Sequence, residues 1–480
     1  MKRGEELTLH LESAAFEGKN IARLNGLVAF VRGGVPGDDV RVRVTRTKKS
    51  FIEADVLEVV RPSVIRVAPR CRYVGVCGGC KWQEVDYQAQ LEFKRQHVID
   101  ALERIGGFSG ISVNPTLGSL DIYYYRNKME FSFGAKWLTR QEMDAEANAG
   151  IEHRALDRFA LGLHIPERFD RVLDIEECWL QSETSREIVN FVREFCKARG
   201  LDIYSTVTHI GFLRNLVIRQ SRHTGELMVN LVTLDDRPVL MQELCSELLR
   251  RFPSITTFVN NITERKSQVA IGDREVVYHG AGTITETIGK RTYRISANSF
   301  FQTNTLQAER LYDVAKQMAS PTKEDVVFDL YSGTGTIALH VADNVAEVVG
   351  IESVPAAVED ARRNGEVNGV KNCTFILGDL KDCLTKDTGW LAQHPRPSVM
   401  IIDPPRSGMH EKVVKQVVEL APQRIVYVSC NPATQARDLK LMTGPGQYVI
   451  KEVQPVDMFP HTYHIENVVL LEKMATDDHR

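Results

Sequence analysis

The sequence has no apolar run long enough to cross a membrane. Its longest apolar stretches have the length of single β-strands and are broken by charged residues, whereas a membrane helix needs about 18 apolar residues in succession. The N-terminal residues also lack the apolar segment and cleavage site of a secretory signal. We therefore expect a cytoplasmic protein with no membrane partner.

Cysteine is scarce, and no single sign of charge dominates. Nine widely scattered cysteines in 480 residues are an odd number, which argues against a disulfide framework and leaves thiols that are unmodified, metal-ligating or catalytic. The net charge is -3, which excludes a protein that is basic overall. Cations do gather locally, and Arg41 and Arg43 alternate with valines, which places them on one face of a strand. That face could bind phosphate, or could be a charged edge that resists aggregation.

The length and the local patterns predict three domains. Residues 1–62 contain short strands separated by glycine and proline turns, which is typical of a small OB-like β-barrel. Residues 63–292 contain a cysteine cluster, a helical stretch from Val85 to Ile105, and a mixed α+β region. Residues 293–480 alternate apolar strands with helical patterns, which predicts a doubly wound, mostly parallel α/β sheet ending in an antiparallel hairpin.

A glycine loop follows the first strand of the C-terminal domain. The pattern GxGxxA starts at Gly333, and the next strand ends with Glu352, 19 residues later. Glycines in such a loop allow close approach of a cofactor, and an acid at the end of the next strand can bind ribose hydroxyls. The pattern predicts an adenosine-containing cofactor but does not distinguish NAD from S-adenosylmethionine, because both use this arrangement.

Two later strands deliver reactive groups to the same edge of the predicted sheet. The fourth strand ends in Asp403-Pro404-Pro405-Arg406, and the fifth ends in Ser429-Cys430-Asn431-Pro432. Open α/β sheets bind ligands at the carboxyl ends of their strands. We therefore expect Cys430 on an exposed loop of a functional site rather than in the core.

The cysteine cluster has the spacing C-x5-C-x2-C, formed by Cys71, Cys77 and Cys80. Three thiolates need a fourth ligand for zinc or an iron–sulfur cluster, and Cys178 is the best candidate because Cys196 lies within a helical pattern with apolar neighbours. Zinc is the generic interpretation, and the adjacent glycines also suit an iron–sulfur cluster, since backbone N–H groups could approach its sulfurs. Radical chemistry on S-adenosylmethionine usually uses a different spacing, so we expect a structural or RNA-binding role.

Several of these motifs together resemble one known family. The chain contains, in order, Ser299-Phe300-Phe301-Gln302-Thr303-Asn304, the glycine loop, Asp403-Pro404-Pro405-Arg406, Ser429-Cys430-Asn431-Pro432 and His464-Ile465-Glu466-Asn467-Val468. In this respect the sequence resembles the RNA uracil-C5 methyltransferases, which make 5-methyluridine in ribosomal and transfer RNA. The resemblance covers nearly the whole chain. It implies an N-terminal RNA-binding TRAM domain and a class I methyltransferase domain at the C-terminus.

The resemblance also implies roles for individual residues. Cys430 matches the family's nucleophile and Glu466 its general base, and the contacts to S-adenosylmethionine would be Gln302, Tyr331, Glu352, Asp379 and Asp403. It further implies a [4Fe-4S] cluster on Cys71, Cys77, Cys80 and Cys178. One departure is Ser332, where the family commonly has cysteine; we expect little effect.

The sequence leaves three alternatives to methylation of ribosomal RNA. We expect 23S ribosomal RNA as the substrate, because transfer-RNA members of the family generally lack the barrel and the cluster; a tRNA T-loop uridine is the alternative. The other two are a non-catalytic RNA-binding factor and an NAD-dependent dehydrogenase. No obligate protein partner is inferred.

A stretch of aromatic and cationic residues from Tyr123 to Phe133 offers a possible RNA contact. Aromatic faces stack on unpaired bases and cations bind phosphates. The family resemblance implies that Arg126 and Lys128 face RNA, whereas we expect Phe131 and Phe133 to belong to a half-buried strand and face the core.

Overall fold

The computed structural model describes residues 1–138, 142–143, 159–166, 168–266, 270–385 and 389–474. The chain forms two compact units. The first consists of Met1–Pro69, Lys81–Ile122 and Leu306–Arg480, and the second of Arg70–Cys80 and Tyr123–Thr305. The predicted domain bounds at residues 62 and 292 stay predictions. The two compact units divide the chain differently, because residues 81–122 belong to the same unit as the N-terminal strands and the C-terminal sheet.

The N-terminal part of the first unit is a six-stranded sheet around its own apolar core. Its strands are β1 (Glu6–His10), β2 (Ser13–Ala14), β3 (Asn20–Leu24), β4 (Leu27–Arg32), β5 (Asp39–Thr47) and β6 (Phe51–Arg61), in the order β1-β5-β6-β4-β3-β2. Val40, Val42 and Val44 are buried, while Arg41 and Arg43 point outward and pair with Glu6 at 2.7 and 2.9 Å. Because β5 lies between two strands, the interpretation of this face as a sheet edge is wrong.

A polar helix follows the N-terminal sheet along the chain. Helix α1 (Tyr87–Ala101) begins where Asp86 accepts hydrogen bonds from the N–H groups of Gln88 and Ala89, at 3.0 and 3.3 Å. It continues as a wider π-helical turn over Leu102–Gly106 and ends at Gly107 with φ +77°. The helix predicted over 85–105 is therefore confirmed, but its buried residues include the polar Gln90, Lys94 and His97.

The C-terminal part of the first unit is a seven-stranded α/β sheet. Its strands are β16 (Val326–Leu330), β17 (Glu347–Glu352), β18 (Cys373–Leu377), β19 (Val399–Ile402), β20 (Arg424–Ser429), β21 (Tyr448–Val456) and β22 (Glu466–Lys473). The order is β18-β17-β16-β19-β20-β22-β21, with β22 antiparallel to both neighbours. The predicted doubly wound sheet with an antiparallel end is confirmed.

Helices cover this sheet on both faces, as its continuous apolar strands require. They are α4 (Thr305–Ala319), α5 (Thr336–Val341), α6 (Pro355–Val367), α7 (Leu380–Cys383), α8 (Glu411–Leu420) and α9 (Pro432–Thr443). Phe328, Met400 and Tyr427, from three adjacent strands, lie in the core below them and are fully buried.

The second unit is built on a mixed sheet. Seven strands lie in the order β13-β12-β11-β10-β7-β8-β9, and β14 (Thr283–Ile288) and β15 (Arg291–Ser296) form a separate hairpin. The seven are β7 (Lys128–Ala135), β8 (Phe159–Ile165), β9 (Arg168–Asp174), β10 (Leu213–Gln220), β11 (Leu227–Thr233), β12 (Ile255–Ile262) and β13 (Arg274–His279), with helices α2 (Glu183–Ala198) and α3 (Pro238–Arg251). The strands predicted near residues 128, 213, 226 and 256 are confirmed. Across the described residues of both units, no helix combines the length and apolarity of a membrane span.

Candidate active site

The glycine loop after β16 has the backbone that its sequence predicts. Gly333 and Gly335 have φ of +53° and +78°, and a Cβ atom on Gly335 would lie 2.8 Å from the ring of Phe375. The N–H of Gly333 donates to Glu352 Oε2 at 3.0 Å. Tyr331 also has positive φ, +64°, a conformation that costs energy for a bulky residue and is common at ligand sites.

A cavity of about 450 Å³ opens at the carboxyl ends of β16, β17 and β18. Of the predicted cofactor contacts, Tyr331, Glu352 and Asp379 line it. Burial raises the pKa of the Tyr331 hydroxyl to about 12, so this group is a hydrogen-bond donor at neutral pH. Asp379 caps helix α7 by accepting from Lys381 N at 2.9 Å, and this bond lowers the pKa of its carboxyl. Two predicted contacts remain: Gln302 belongs to the second unit, and Asp403 follows β19.

Carboxyl groups crowd the sheet edge beside this cavity. Asp403 follows β19, and burial raises the pKa of its carboxyl to about 7. Asp329, within β16, is fully buried, and its pKa is raised by burial and by Asp403. Its Oδ2 accepts from Ala338 N at 3.0 Å, whereas Oδ1 has no hydrogen-bond partner among the described residues. A carboxyl whose charge raises the pKa of a buried neighbouring carboxyl creates a site that favours a cation.

Cys430 and Glu466 are brought together by strand pairing. Ser429 of β20 pairs with Asn467 of β22, so the next residue on one strand and the preceding residue on the other are neighbours. Burial and the nearby Glu466 raise the pKa of the Cys430 thiol to about 11, while Arg406 opposes the shift. Burial and Asp403 hold the pKa of the Glu466 carboxyl well above its ordinary value, again opposed by Arg406.

Sequence reasoning gave Arg406 no role, although it lies in the motif that contains Asp403. Its backbone carbonyl accepts hydrogen bonds from Asn431 Nδ2 at 3.0 Å and Thr434 Oγ1 at 3.2 Å. Its side chain lies 3.4 Å from His464 Nδ1. It thus supplies positive charge to both Cys430 and Glu466. The proline pair before it was the available signal, because Pro404 and Pro405 stiffen the chain that carries it.

The four candidate metal-ligating cysteines all lie in the second unit. Burial raises the pKa of the Cys178 thiol to about 11, with smaller contributions from the nearby Cys77 and Cys71. The N–H of Gly79 lies 3.4 Å from Cys77 Sγ. Burial raises the pKa of the Tyr123 hydroxyl, and the nearby Cys80 and Cys71 add to this shift. No set of three or more His, Cys, Asp or Glu side chains in the described part of the chain is spaced to hold one metal ion.

Three side chains of the second unit that were predicted to lie in the core are buried there. Cys196 is fully buried within α2, and Phe131 and Phe133 are buried in β7, which confirms their core assignment. Lys128, however, forms an ion pair with Glu130, and burial lowers the pKa of its amine. Lys128 is therefore a half-buried cation that is already paired with a carboxylate, not an exposed cation of the kind that binds phosphate.

Comparison with known proteins agrees with this architecture. Residues 259–474 match the family model tRNA (Uracil-5-)-methyltransferase, and residues 1–57 match the TRAM domain. RNA methyltransferases of Porphyromonas gingivalis and Chlorobaculum tepidum are 44% and 43% identical, covering 96% and 98% of this chain and 99% and 96% of their own lengths. The solved structure of Pyrococcus abyssi tRNA (uracil-54, C5)-methyltransferase with S-adenosyl-L-homocysteine superimposes with a TM-score of 0.72 at 30% identity, covering 97% of this chain and 100% of that one. The chain therefore belongs to the RNA uracil-C5 methyltransferase family, with a TRAM domain and a class I methyltransferase domain that uses S-adenosylmethionine.

Proposed function

We propose that the chain methylates C5 of a specific uridine in RNA through a covalent bond between Cys430 and C6 of the base. The observation that carries the proposal is the strand pairing that puts Cys430 beside Glu466, with Arg406 next to both. A non-catalytic RNA-binding factor would not need a half-buried thiol next to a buried carboxyl at the ligand edge of the sheet.

The chemistry of uracil explains why these residue types are needed. C5 is a poor nucleophile until a thiolate adds to C6 and makes C5 enolate-like. The positive charge of Arg406 favours the Cys430 thiolate against the opposing effect of burial. S-adenosylmethionine supplies the methyl group that C5 takes. Glu466 then removes the C5 proton, and the electron pair of that C–H bond expels the thiolate, which restores the ring and leaves Cys430 as it began.

The residues around the cavity fit the proposed cofactor. Glu352 is placed to accept from ribose hydroxyls, and Tyr331 and Asp379 line the space beside it. Asp403, with its raised pKa, and the incompletely bonded Asp329 suit the positive charge of a sulfonium. We propose Gln302 as a further contact on the strength of the family motif. NAD has no such positive charge near its adenosine, which disfavours the dehydrogenase alternative.

The pKa of Asp403 leads to a testable pH dependence. Its carboxyl titrates at about 7, so raising the pH from 6 to 8 converts it from mostly neutral to mostly ionised. We expect the affinity for S-adenosylmethionine to increase about tenfold over this range, and that for the uncharged thioether S-adenosylhomocysteine to increase much less. Titration calorimetry at several pH values measures both. The Asp403→Asn variant should lose the difference; if wild type shows none, Asp403 does not face the sulfonium.

Two RNA molecules are candidates for the substrate. We propose 23S ribosomal RNA, with a tRNA T-loop uridine as the alternative. The expectation that tRNA enzymes lack the barrel carries little weight now, because the tRNA enzyme of P. abyssi aligns over 97% of this chain. Mapping 5-methyluridine in 23S rRNA and tRNA from cells with and without the gene decides between them. These substrates, and nine cysteines of which none forms a disulfide, favour a cytoplasmic location.

We also propose a [4Fe-4S] cluster on Cys71, Cys77, Cys80 and Cys178. The thiols of Cys71, Cys77 and Cys178 are close enough to affect one another electrostatically, and the N–H of Gly79 approaches Cys77 Sγ. The spacing of these cysteines does not suit a single metal ion. This does not oppose an iron–sulfur cluster, because a cluster holds its ligand sulfurs further apart than a single ion does. All four ligands are thiolates, as such clusters require.

The cluster proposal predicts the metal content. Protein purified without oxygen should be brown and contain iron and acid-labile sulfide in equal amounts, at about four of each per chain. The Cys178→Ala variant should lose most of both, because the cluster loses a ligand. Cys196→Ala is the matched control, since Cys196 is buried inside helix α2, and its metal content should equal that of wild type. Stoichiometric zinc without sulfide would contradict the assignment.

A further inference from the structure

The loop that leads to Glu466 is largely buried, and an ion pair and several hydrogen bonds fix its position. Nine residues, 457–465, connect β21 to β22, whose first residue is Glu466. We name this segment the β21–β22 loop. Asp457, His461 and Thr462 are each at most 3% exposed. The position of Glu466 therefore depends on what contacts this loop.

A buried ion pair from helix α1 holds the start of the loop. The Lys94 and Asp457 side chains are both fully buried, and Lys94 Nζ lies 2.5 Å from Asp457 Oδ1. Lys94 Nζ also donates to the carbonyl oxygen of Phe459 at 3.1 Å. Asp457 Oδ2 accepts from the Tyr87 hydroxyl at 2.9 Å, and Oδ1 accepts from Phe459 N at 3.0 Å. Both charges are thus paired and further hydrogen-bonded.

A second polar residue of α1 holds the middle of the loop. Gln90 Oε1 accepts from His461 N at 2.8 Å, and Gln90 Nε2 lies 3.2 Å from His461 Nδ1. The carbonyl oxygen of His461 accepts from Lys81 N and Trp82 N at 2.9 and 3.0 Å. His461 has φ +65°, a strained conformation that persists only where its surroundings fix it. These bonds supply that constraint.

Stability alone does not account for the ion pair. Burial lowers the pKa of the Lys94 amine, which reflects the cost of taking its charge out of water. Replacing a buried ion pair by apolar residues of similar volume is often neutral or stabilising, whereas a paired charge fixes one geometry. We therefore expect the ion pair to contribute more to fixing the position of the β21–β22 loop than to the free energy of folding.

We infer that Lys94, through its buried contacts with Asp457 and Phe459, is a positioning residue that sets the β21–β22 loop so that Glu466 stands beside Cys430. The inference rests on the proposed role of Glu466 as the base. Within the described part of the chain, the hydrogen bonds of Lys94 Nζ go to Asp457 and Phe459 and not to Cys430 or Glu466. Loss of its ammonium should displace the base while leaving the cofactor cavity intact.

The test compares Lys94→Met with Lys440→Met, a control on the exposed face of helix α9. A displacement of about 1 Å can cost about 100-fold in rate, so we expect kcat of Lys94→Met to fall between about 10- and 100-fold. The KM for S-adenosylmethionine and RNA and the Kd of S-adenosylhomocysteine should stay within about twofold of wild type. The control should match wild type throughout. If Lys94→Met does not fold, Lys94→Met/Asp457→Asn, which leaves no unpaired buried charge, replaces it with the same expectation.

A double-mutant cycle separates positioning from general damage. If Lys94 acts through Glu466, adding Lys94→Met to Glu466→Gln should lower the rate no further, because coupled residues are not additive. An equal further fall, or a Lys94→Met kcat equal to that of the control, would overturn the positioning role. A Glu466→Gln enzyme with wild-type turnover would instead overturn the proposed base, so the two failures are distinguishable.

Discussion

Cys430→Ala is expected to abolish methyl transfer and covalent capture of RNA together. Without a nucleophile C6 is never attacked, so C5 cannot take a methyl group and no thioether can form. Loss of a catalytic nucleophile typically costs about 10⁴-fold or more in rate. Transfer of a radioactive methyl group to RNA measures the first effect. Denaturing electrophoresis with RNA that contains 5-fluorouridine measures the second, since fluorine cannot leave C5 as a cation and wild-type enzyme should remain attached.

The matched control is Cys373→Ala, a half-buried cysteine of β18 in the same sheet. It should retain wild-type turnover and trapping, because β18 lies at the edge of the sheet, with four strands between it and the strand that carries Glu466. Affinity for S-adenosylhomocysteine should be unchanged in both variants. An adduct or substantial turnover with Cys430→Ala would show that another group attacks the base.

The C-terminal sheet and its ligand edge were predictable because the signals are local. Each parallel strand is a short apolar run, and the reactive residues follow directly after strands, where the topology of such sheets brings them together. Tyr331, Asp403 and Cys430 each follow a strand directly, and Glu352 is the last residue of one. Their placement follows from sequence position alone.

What escaped prediction depends on contacts between distant parts of the chain. The period-two pattern placed Arg41 on an outward face but could not show that Glu6, from another strand, neutralises it. Likewise, the helical pattern of α1 gave no reason to expect Lys94 in the interior, because its partner Asp457 lies 363 residues away. Polar residues that are buried in pairs can be recognised only when both partners are known.

Glu466→Gln is expected to stall the enzyme after methyl transfer. Glutamine matches glutamate closely in size and shape, so this variant should fold and bind the cofactor as wild type does. Glutamine cannot take the C5 proton, and loss of a positioned base costs about 10²- to 10⁴-fold.

Addition of Cys430 and methylation should still occur in this variant, so a protein–RNA adduct that carries the labelled methyl group should survive denaturing electrophoresis with ordinary RNA. Glu472→Gln, on the same strand but half-exposed and paired with Lys451, is the control and should release its product normally. A labelled adduct places the block after methyl transfer, and an unlabelled one places it before. Wild-type turnover without an adduct would show that another group, such as the neighbouring His464 or a bound water, removes the proton.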